Sequence, residues 1–228
     1  VRVEIWSDVV CPWCYIGKRR FETALATLGD EIDVEVVYRA YQLDPTASPG
    51  TSMPVAEAYA RKFGGPERAR QIIDHVTSVA AADGIEFRLD RAKRANTLLA
   101  HRLLWWAEQP ESGADQAAVK ERLLQAYFVD GLDIGDAEVL ADCLADLGLD
   151  RDVVASFLAG DGGIGEVYEQ LAVAHANGIT AVPTFVIDDA WAIPGAQDPD
   201  VFVQVLRRMH ERARAATVDA CTDDVCDV

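Results

Sequence analysis

The 228-residue chain predicts an α/β fold in which a large all-helical insert separates the second and third strands of a small sheet. Three observations lead there. The chain opens strand-helix-strand, more than half of it then passes without a convincing strand, and it finishes with two short strands and an amphipathic helix.

Val1 to Trp6 reads as a short buried strand that Ser7 and Asp8 break. From Pro12 onward Tyr15, Ile16, Phe21, Leu25 and Leu28 recur at helical spacing. Gly29-Asp30 turns the chain, and Ile32 to Tyr38 reads as a second buried strand, so the first two strands should be parallel with a right-handed crossover. Leu43-Asp44-Pro45 through Met53-Pro54 is a loop leaving the sheet. Helical segments are then expected over Val55 to Phe63, Glu67 to Ala82, Ala92 to Glu108, Asp115 to Phe128, Asp136 to Leu147, Val153 to Leu158 and Glu166 to Ala176. Gly, Pro and Asp punctuate them, as at Gly64-Gly65-Pro66 and Gly162-Gly163. The sheet resumes at Thr184 to Ile187, turns at Asp188-Asp189 and pairs again through Trp191 to Ile193, a spacing that argues for an antiparallel hairpin. A final amphipathic helix covers Asp200 to Arg214, and Asp219 to Val228 reads as a mobile acidic tail. The expected organisation is a sheet-bearing domain formed by residues 1–42 and 178–214, a helical insert over 43–177, and a tail over 215–228.

Half the residues are hydrophobic, enough for a sizeable core. No apolar run approaches the roughly 18 residues that suggest a membrane span, and the N-terminus enters a strand without a basic-then-apolar leader, so a cytoplasmic location is expected. With 38 acidic against 21 basic residues, nucleic acid and anionic membranes are not expected partners. Trp105, Trp106, Tyr127 and Phe128 fall at helical spacing, which favours core over the lining of a substrate groove.

The five cysteines are too few for a disulfide scaffold and are unevenly placed. Cys143 lies among Val139, Leu140, Leu144 and Leu147 and reads as a small buried hydrophobe. Cys11-Pro12-Trp13-Cys14 stands where the first strand gives way to the first helix, with Cys11 at the N-cap and Pro12 at the first helical position. Free N–H groups and the positive end of the helix dipole there favour a thiolate at Cys11. Cys14, one turn on, is near enough to close a disulfide but should be more deeply set, giving one attacking and one resolving thiol. Half of a zinc site is the alternative, but no second ligand pair with zinc spacing follows, so no metal is expected. Val182-Pro183 enters the third strand beside the redox helix, and Pro183 is a candidate for a cis bond whose backbone would meet an extended substrate.

Beyond these two elements, Ser7 to Gly17, Gln42-Leu43-Asp44-Pro45, Ala95-Asn96-Thr97, Ala126-Tyr127-Phe128, Gly178 to Phe185 and Gly195-Ala196-Gln197 together resemble the FrnE-type branch of the DsbA-like thioredoxin-fold family. The resemblance runs from Val1 to about Arg214. It implies a thioredoxin-like core interrupted by a helical domain, a cis-proline at Pro183, and cytoplasmic thiol-disulfide oxidoreductase activity through Cys11 and Cys14. Pro12, Trp13, Val182 and Pro183 would position a protein or peptide thiol or disulfide. No cofactor is implied beyond the redox-active disulfide, with glutathione or a thioredoxin-type reductant as co-substrate. Related glutathione-dependent isomerases and transferases typically carry serine at the position of Cys11, so the retention of both sulfurs argues for electron transfer. A glutathione-dependent isomerase or transferase on a small aromatic substrate is the first alternative, and a redox-sensitive or metal-binding adaptor the second. Cys221 and Cys226 resemble an additional Cys-X4-Cys pair of some FrnE-type proteins and would serve as auxiliary redox groups. Their acidic neighbours disfavour thiolates, and a turn or coil is expected around them.

Overall fold

The structure, a computed structural model, describes the backbone of residues 1–48, 50 and 53–223, and the side chains of these up to 215. A four-stranded sheet has the order β2-β1-β3-β4, from β1 (Arg2–Ser7), β2 (Glu35–Ala40), β3 (Thr184–Ile187) and β4 (Trp191–Pro194). Helix α1 (Pro12–Leu28) makes the crossover between β1 and β2, which are parallel, while β3 runs antiparallel to both β1 and β4. Asp188 and Asp189 both take positive φ in the β3-β4 turn, the conformation that matches the twist of a tight hairpin.

Val3 and Ile5 of β1 alternate onto the sheet face covered by α1 and α9 (Pro199–Asp223), and pack there with Phe21, Phe185 and Phe202. Glu4 points to the other face, where Arg39 of β2 bridges it to Glu108 of α4 (Leu98–Glu108). The outer edge of β2 is closed by side chains. Tyr38 N–H donates to Gln116 Oε1, the Gln116 amide returns a bond to Tyr38 O, and Ala40 N–H donates to Gln170 Oε1. Those glutamines come from α5 (Gln116–Gln125) and α8 (Ile164–Ala176), so the helical segment protects an edge that would otherwise offer free pairing groups.

Between β2 and β3 the remaining helices are α2 (Val55–Phe63), α3 (Pro66–Ala82), α6 (Ala137–Ala145) and α7 (Arg151–Ala159). Their core meets the sheet core along α1, whose Tyr15 and Ile16 face the helices while Phe21, Ala24 and Leu28 face the sheet. Three expected elements differ. Helix α4 starts at Leu98 rather than Ala92, because the preceding backbone is held extended: Pro54 and Lys93 form an antiparallel bridge, Val55 N–H donates to Ala92 O and Arg94 N–H to Met53 O. The segment after α5 continues as a π-helical turn, Ala126–Asp130, closed by the positive-φ Gly131. The last helix runs past Arg214 to Asp223, so the first part of the segment expected to be a tail from residue 215 has helical backbone, and Cys221, expected in a turn or coil, lies on that helix. Cys226 and the side chain of Cys221 lie outside the described residues.

Candidate active site

The antiparallel register of β1 and β3 sets Trp6 opposite Thr184, which brings the end of β1 beside the start of β3. Immediately after β1, the Asp8 carbonyl accepts from Cys11 N–H at 3.2 Å and turns the chain into α1. Cys11 is the N-cap with extended φ and ψ, and Pro12 takes the first helical position. Its sulfur, however, makes no capping bond to the helix N–H groups. The Cys11 thiol instead lies 3.6 Å from the Val182 carbonyl oxygen and donates to it across the start of β3. The Val182–Pro183 bond is cis.

Both thiols are buried and free, Cys11 at 4 % and Cys14 at 2 % exposure. They differ in what they face. Cys11 lines a cavity of about 750 Å³, and Cys14 is absent from its walls. Burial pushes the Cys14 thiol well up, a hydrogen bond to Cys11 adds to this, and the charge of Lys120 and a bond from the Asp8 backbone oppose it. Such a thiol stays protonated until the reaction needs it.

Pro12, Trp13, Val10 and Val182 surround Cys11 in the cavity wall, and Trp13 meets the His75 ring at 5.9 Å. Across the cavity stand Tyr59, Phe63 and Val76 of α2 and α3, together with Leu43, Ala95 and Tyr127. Arg61, Lys62 and Arg94 supply positive charge against the single acid Asp44, which is paired with Arg94 at 2.7 Å. Of the four aromatics weighed between core and groove, Tyr127 does both, being buried with one side on the cavity. Phe128 is fully buried and stacks on Phe87, and Trp105 and Trp106 pack on Phe157.

The scattered short motifs converge here. Gln42 donates to Thr97 Oγ1 at 3.3 Å and Asn96 to the Ala47 carbonyl at 2.8 Å, fixing the loop that carries Leu43 and Asp44. Gly195 N–H donates to Pro183 O at 2.7 Å, and Arg20 of α1 donates to Ala196 O at 2.9 Å. Gly17 lies under the same loop, where a Cβ would come 2.9 Å from Pro183 Cγ.

Three buried polar residues behind the cysteines were not singled out as functional from the sequence. Asp8 is fully buried, meets His101 Nε2 at 3.2 Å through one oxygen and accepts from Leu43 N–H at 2.8 Å through the other. Lys120 on α5 is also buried. The available signal was Lys120 standing in register with Leu123, Leu124 and Tyr127, a charge on an apolar stripe. Cys143 is buried in the helical core, and burial raises its thiol pKa. Among the described residues no group of three His, Cys, Asp or Glu is placed to hold a metal ion, and no helix is long and apolar enough to cross a membrane.

The family model of the DSBA-like thioredoxin domain matches residues 2–207. The chain belongs to this family. Its fold is accordingly the DsbA-like thioredoxin fold, with the helices between β2 and β3 lying inside the matched span. A probable DsbA oxidoreductase from Streptomyces coelicolor superposes with a TM-score of 0.83 at 36 % identity, over 91 % of this chain and 88 % of that one. The cytosolic disulfide reductase DsbM from Pseudomonas aeruginosa, solved with GSH, shares the fold at a TM-score of 0.64 and 18 % identity, over 92 % of this chain and 100 % of that one. An uncharacterised Bacillus subtilis protein, YwbO, is 30 % identical over 210 residues, which is 90 % of this chain and 96 % of its own. Membership of the DSBA-like family supports oxidoreductase activity for this chain.

Proposed function

We propose that the protein is a cytoplasmic disulfide reductase or isomerase of the FrnE type, working through Cys11 and Cys14 with no cofactor beyond their own disulfide. Cys11 attacks a substrate disulfide, forming a mixed disulfide and expelling one thiolate. Cys14 then attacks Cys11 Sγ, the second substrate sulfur leaves as a thiol, and two electrons have passed from the pair to the substrate. Pro12, Trp13, Val182 and Pro183 line or adjoin the reacting sulfur and position the substrate chain.

One observation carries this reading. The cavity reaches Cys11 but not Cys14, and the Cys11 sulfur lies against the backbone of Val182, next to the cis-proline. The cavity is of a size for a small thiol or a short extended peptide segment, and its basic residues suit a carboxylate-bearing thiol such as glutathione as co-substrate. With both sulfurs retained, electron transfer is favoured over a glutathione-dependent isomerisation that uses only one position. Cys221 and Cys226 would hold or hand on a disulfide as an auxiliary pair. Replacing both by Ser and finding unchanged turnover and an unchanged redox state of Cys11 and Cys14 would remove them from the mechanism.

The test of the main reading is turnover of a protein disulfide by reduced enzyme. Cys11→Ser should abolish it, and Cys14→Ser should stop after one mixed disulfide. Near-normal turnover in Cys11→Ser is incompatible with the reading.

A further inference from the structure

Arg20 stands on α1 well past Cys11, about 14 Å along the helix axis, and does not line the cavity. Its guanidinium joins two parts of the fold that meet nowhere else in the sequence. Nε donates to Asp83 Oδ2 at 2.9 Å, and Nη1 donates to Ala196 O at 2.9 Å. Asp83 is the C-cap of α3, the helix whose Val76 lines the cavity and whose His75 meets Trp13. Ala196 belongs to the loop between β4 and α9 and packs against the helical core. The side chains of the ion pair are only 23 % and 19 % exposed, so solvent screens it less than an open surface pair.

The loop that Arg20 holds leads to the reacting sulfur. Gly195 N–H donates to Pro183 O at 2.7 Å, and the Val182 carbonyl, one residue earlier, meets the Cys11 thiol at 3.6 Å. Gly17 lies one turn before Arg20 on the same face of α1 and offers the loop a surface without a side chain. The place of its Cβ is 2.9 Å from Pro183 Cγ and 3.5 Å from Ala196 Cα. Among the described residues, Arg20 donates the one side-chain hydrogen bond that reaches residues 195–197 from another element. A planar guanidinium fixes two acceptor directions at once. Arg20 therefore locks the loop into the frame of α1, the helix that begins at Cys11, and Asp83 keeps the guanidinium aimed.

We propose that Arg20 is a positioning residue for extended substrates, the strut that sets the Val182-Pro183 backbone in register with Cys11. This rests on the thiol-disulfide reading above. The effect of the strut depends on how much of the substrate meets that backbone. A peptide disulfide lies along Val182 and Pro183 while Cys11 attacks, so a displaced loop misaligns the reacting sulfurs. A small disulfide without peptide groups reaches Cys11 through the cavity and makes no use of the loop. A residue that only staples α1 to α3 would affect both substrates alike.

The test compares the two substrates in single turnover with the reduced full chain. Wild type and Arg20→Met are mixed with a disulfide-linked peptide pair or with bis(2-hydroxyethyl) disulfide and quenched with acid. The rate at which Cys11 and Cys14 become oxidised is then read by mass. In Arg20→Met the second-order rate constant should fall about tenfold on the peptide, whereas the loss on the small disulfide should stay under twofold. Arg20→Gln, too short to span both partners, should show the same split and stands in should the Met variant not fold. An equal loss on both substrates, or no loss on the peptide, overturns the Arg20 proposal alone. If wild type oxidises its cysteine pair with neither substrate, the thiol-disulfide reading itself falls.

Discussion

The two cysteines share one helical turn and similar burial, yet they are chemically unlike. Cys11 meets the cavity and the Val182 carbonyl, whereas burial and the neighbouring Cys11 hold the Cys14 thiol in its protonated form. Lys120 behind them is destabilising by the same physics. Its fall from an ordinary 10.5 to about 8 corresponds to roughly 3 kcal/mol at neutral pH. A lysine with a depressed folded pKa binds fewer protons folded than unfolded, so the penalty is full below about 8 and fades as pH rises towards 10.5. Lys120→Met should therefore be more stable than wild type to denaturant at pH 7, with the difference shrinking from about pH 8 upward; equal or lower stability at pH 7 would show that the amine is satisfied in solution. Gly17 is a second residue whose size matters. With Pro183 Cγ 2.9 Å from the place of a Cβ, Gly17→Ala must push the cis-proline loop. The helix gains about 1 kcal/mol in propensity, so the variant should fold, while disulfide turnover falls about tenfold through the misplaced loop. Circular dichroism and steady-state turnover together check this.

At the scale of elements, α1 is tied to α5 through one carboxylate. Glu121 accepts from the Tyr15 hydroxyl at 2.7 Å, Lys18 at 2.6 Å and Arg19 at 2.9 Å. Burial alone would raise its pKa, but the bonds and charges of Lys18, Tyr15 and Arg19 outweigh burial and lower it. A carboxylate lowered in the folded state stabilises at pH values above its unfolded pKa, about 4.3, and that stabilisation is lost as pH falls through the folded value. Glu121→Gln should cost about 1–3 kcal/mol at pH 7, and its deficit should close below about pH 4. A deficit that persists unchanged into acid would mean that the carboxylate charge is not what joins the two helices. The elements themselves were largely legible in the sequence, since the apolar spacing of α1 and the turn at Asp188-Asp189 are local signals. The start of α4 was not. Residues Ala92 to Arg94 carry helical composition, and only the bridge to Met53 and Val55, some forty positions earlier, makes them extended. Likewise no local pattern marks the π-helical turn at Ala126–Asp130, within which Tyr127 lines the cavity and Phe128 stacks on Phe87.

At the scale of the whole molecule, the site exists because two parts of the chain meet on α1. The sheet places Val182 beside Cys11 through the pairing of Trp6 with Thr184, and the helical segment supplies the opposite wall of the cavity from α2, α3 and the turn after α5. Cys11, Cys14 and Pro183 could be named from their spacing because that chemistry is local or motif-borne. Asp8, His101 and Lys120 could not, because a buried acid, imidazole and amine acquire meaning only when β1, α4 and α5 converge behind the cysteines. The central claim is that Cys11 is the sulfur that meets substrate and Cys14 the one that resolves. Peptide mapping of Cys14→Ser after exposure to a disulfide substrate tests it directly. The account predicts one stable adduct per chain, on Cys11; an adduct found chiefly on Cys143 or in the tail, or no adduct at all, would contradict it.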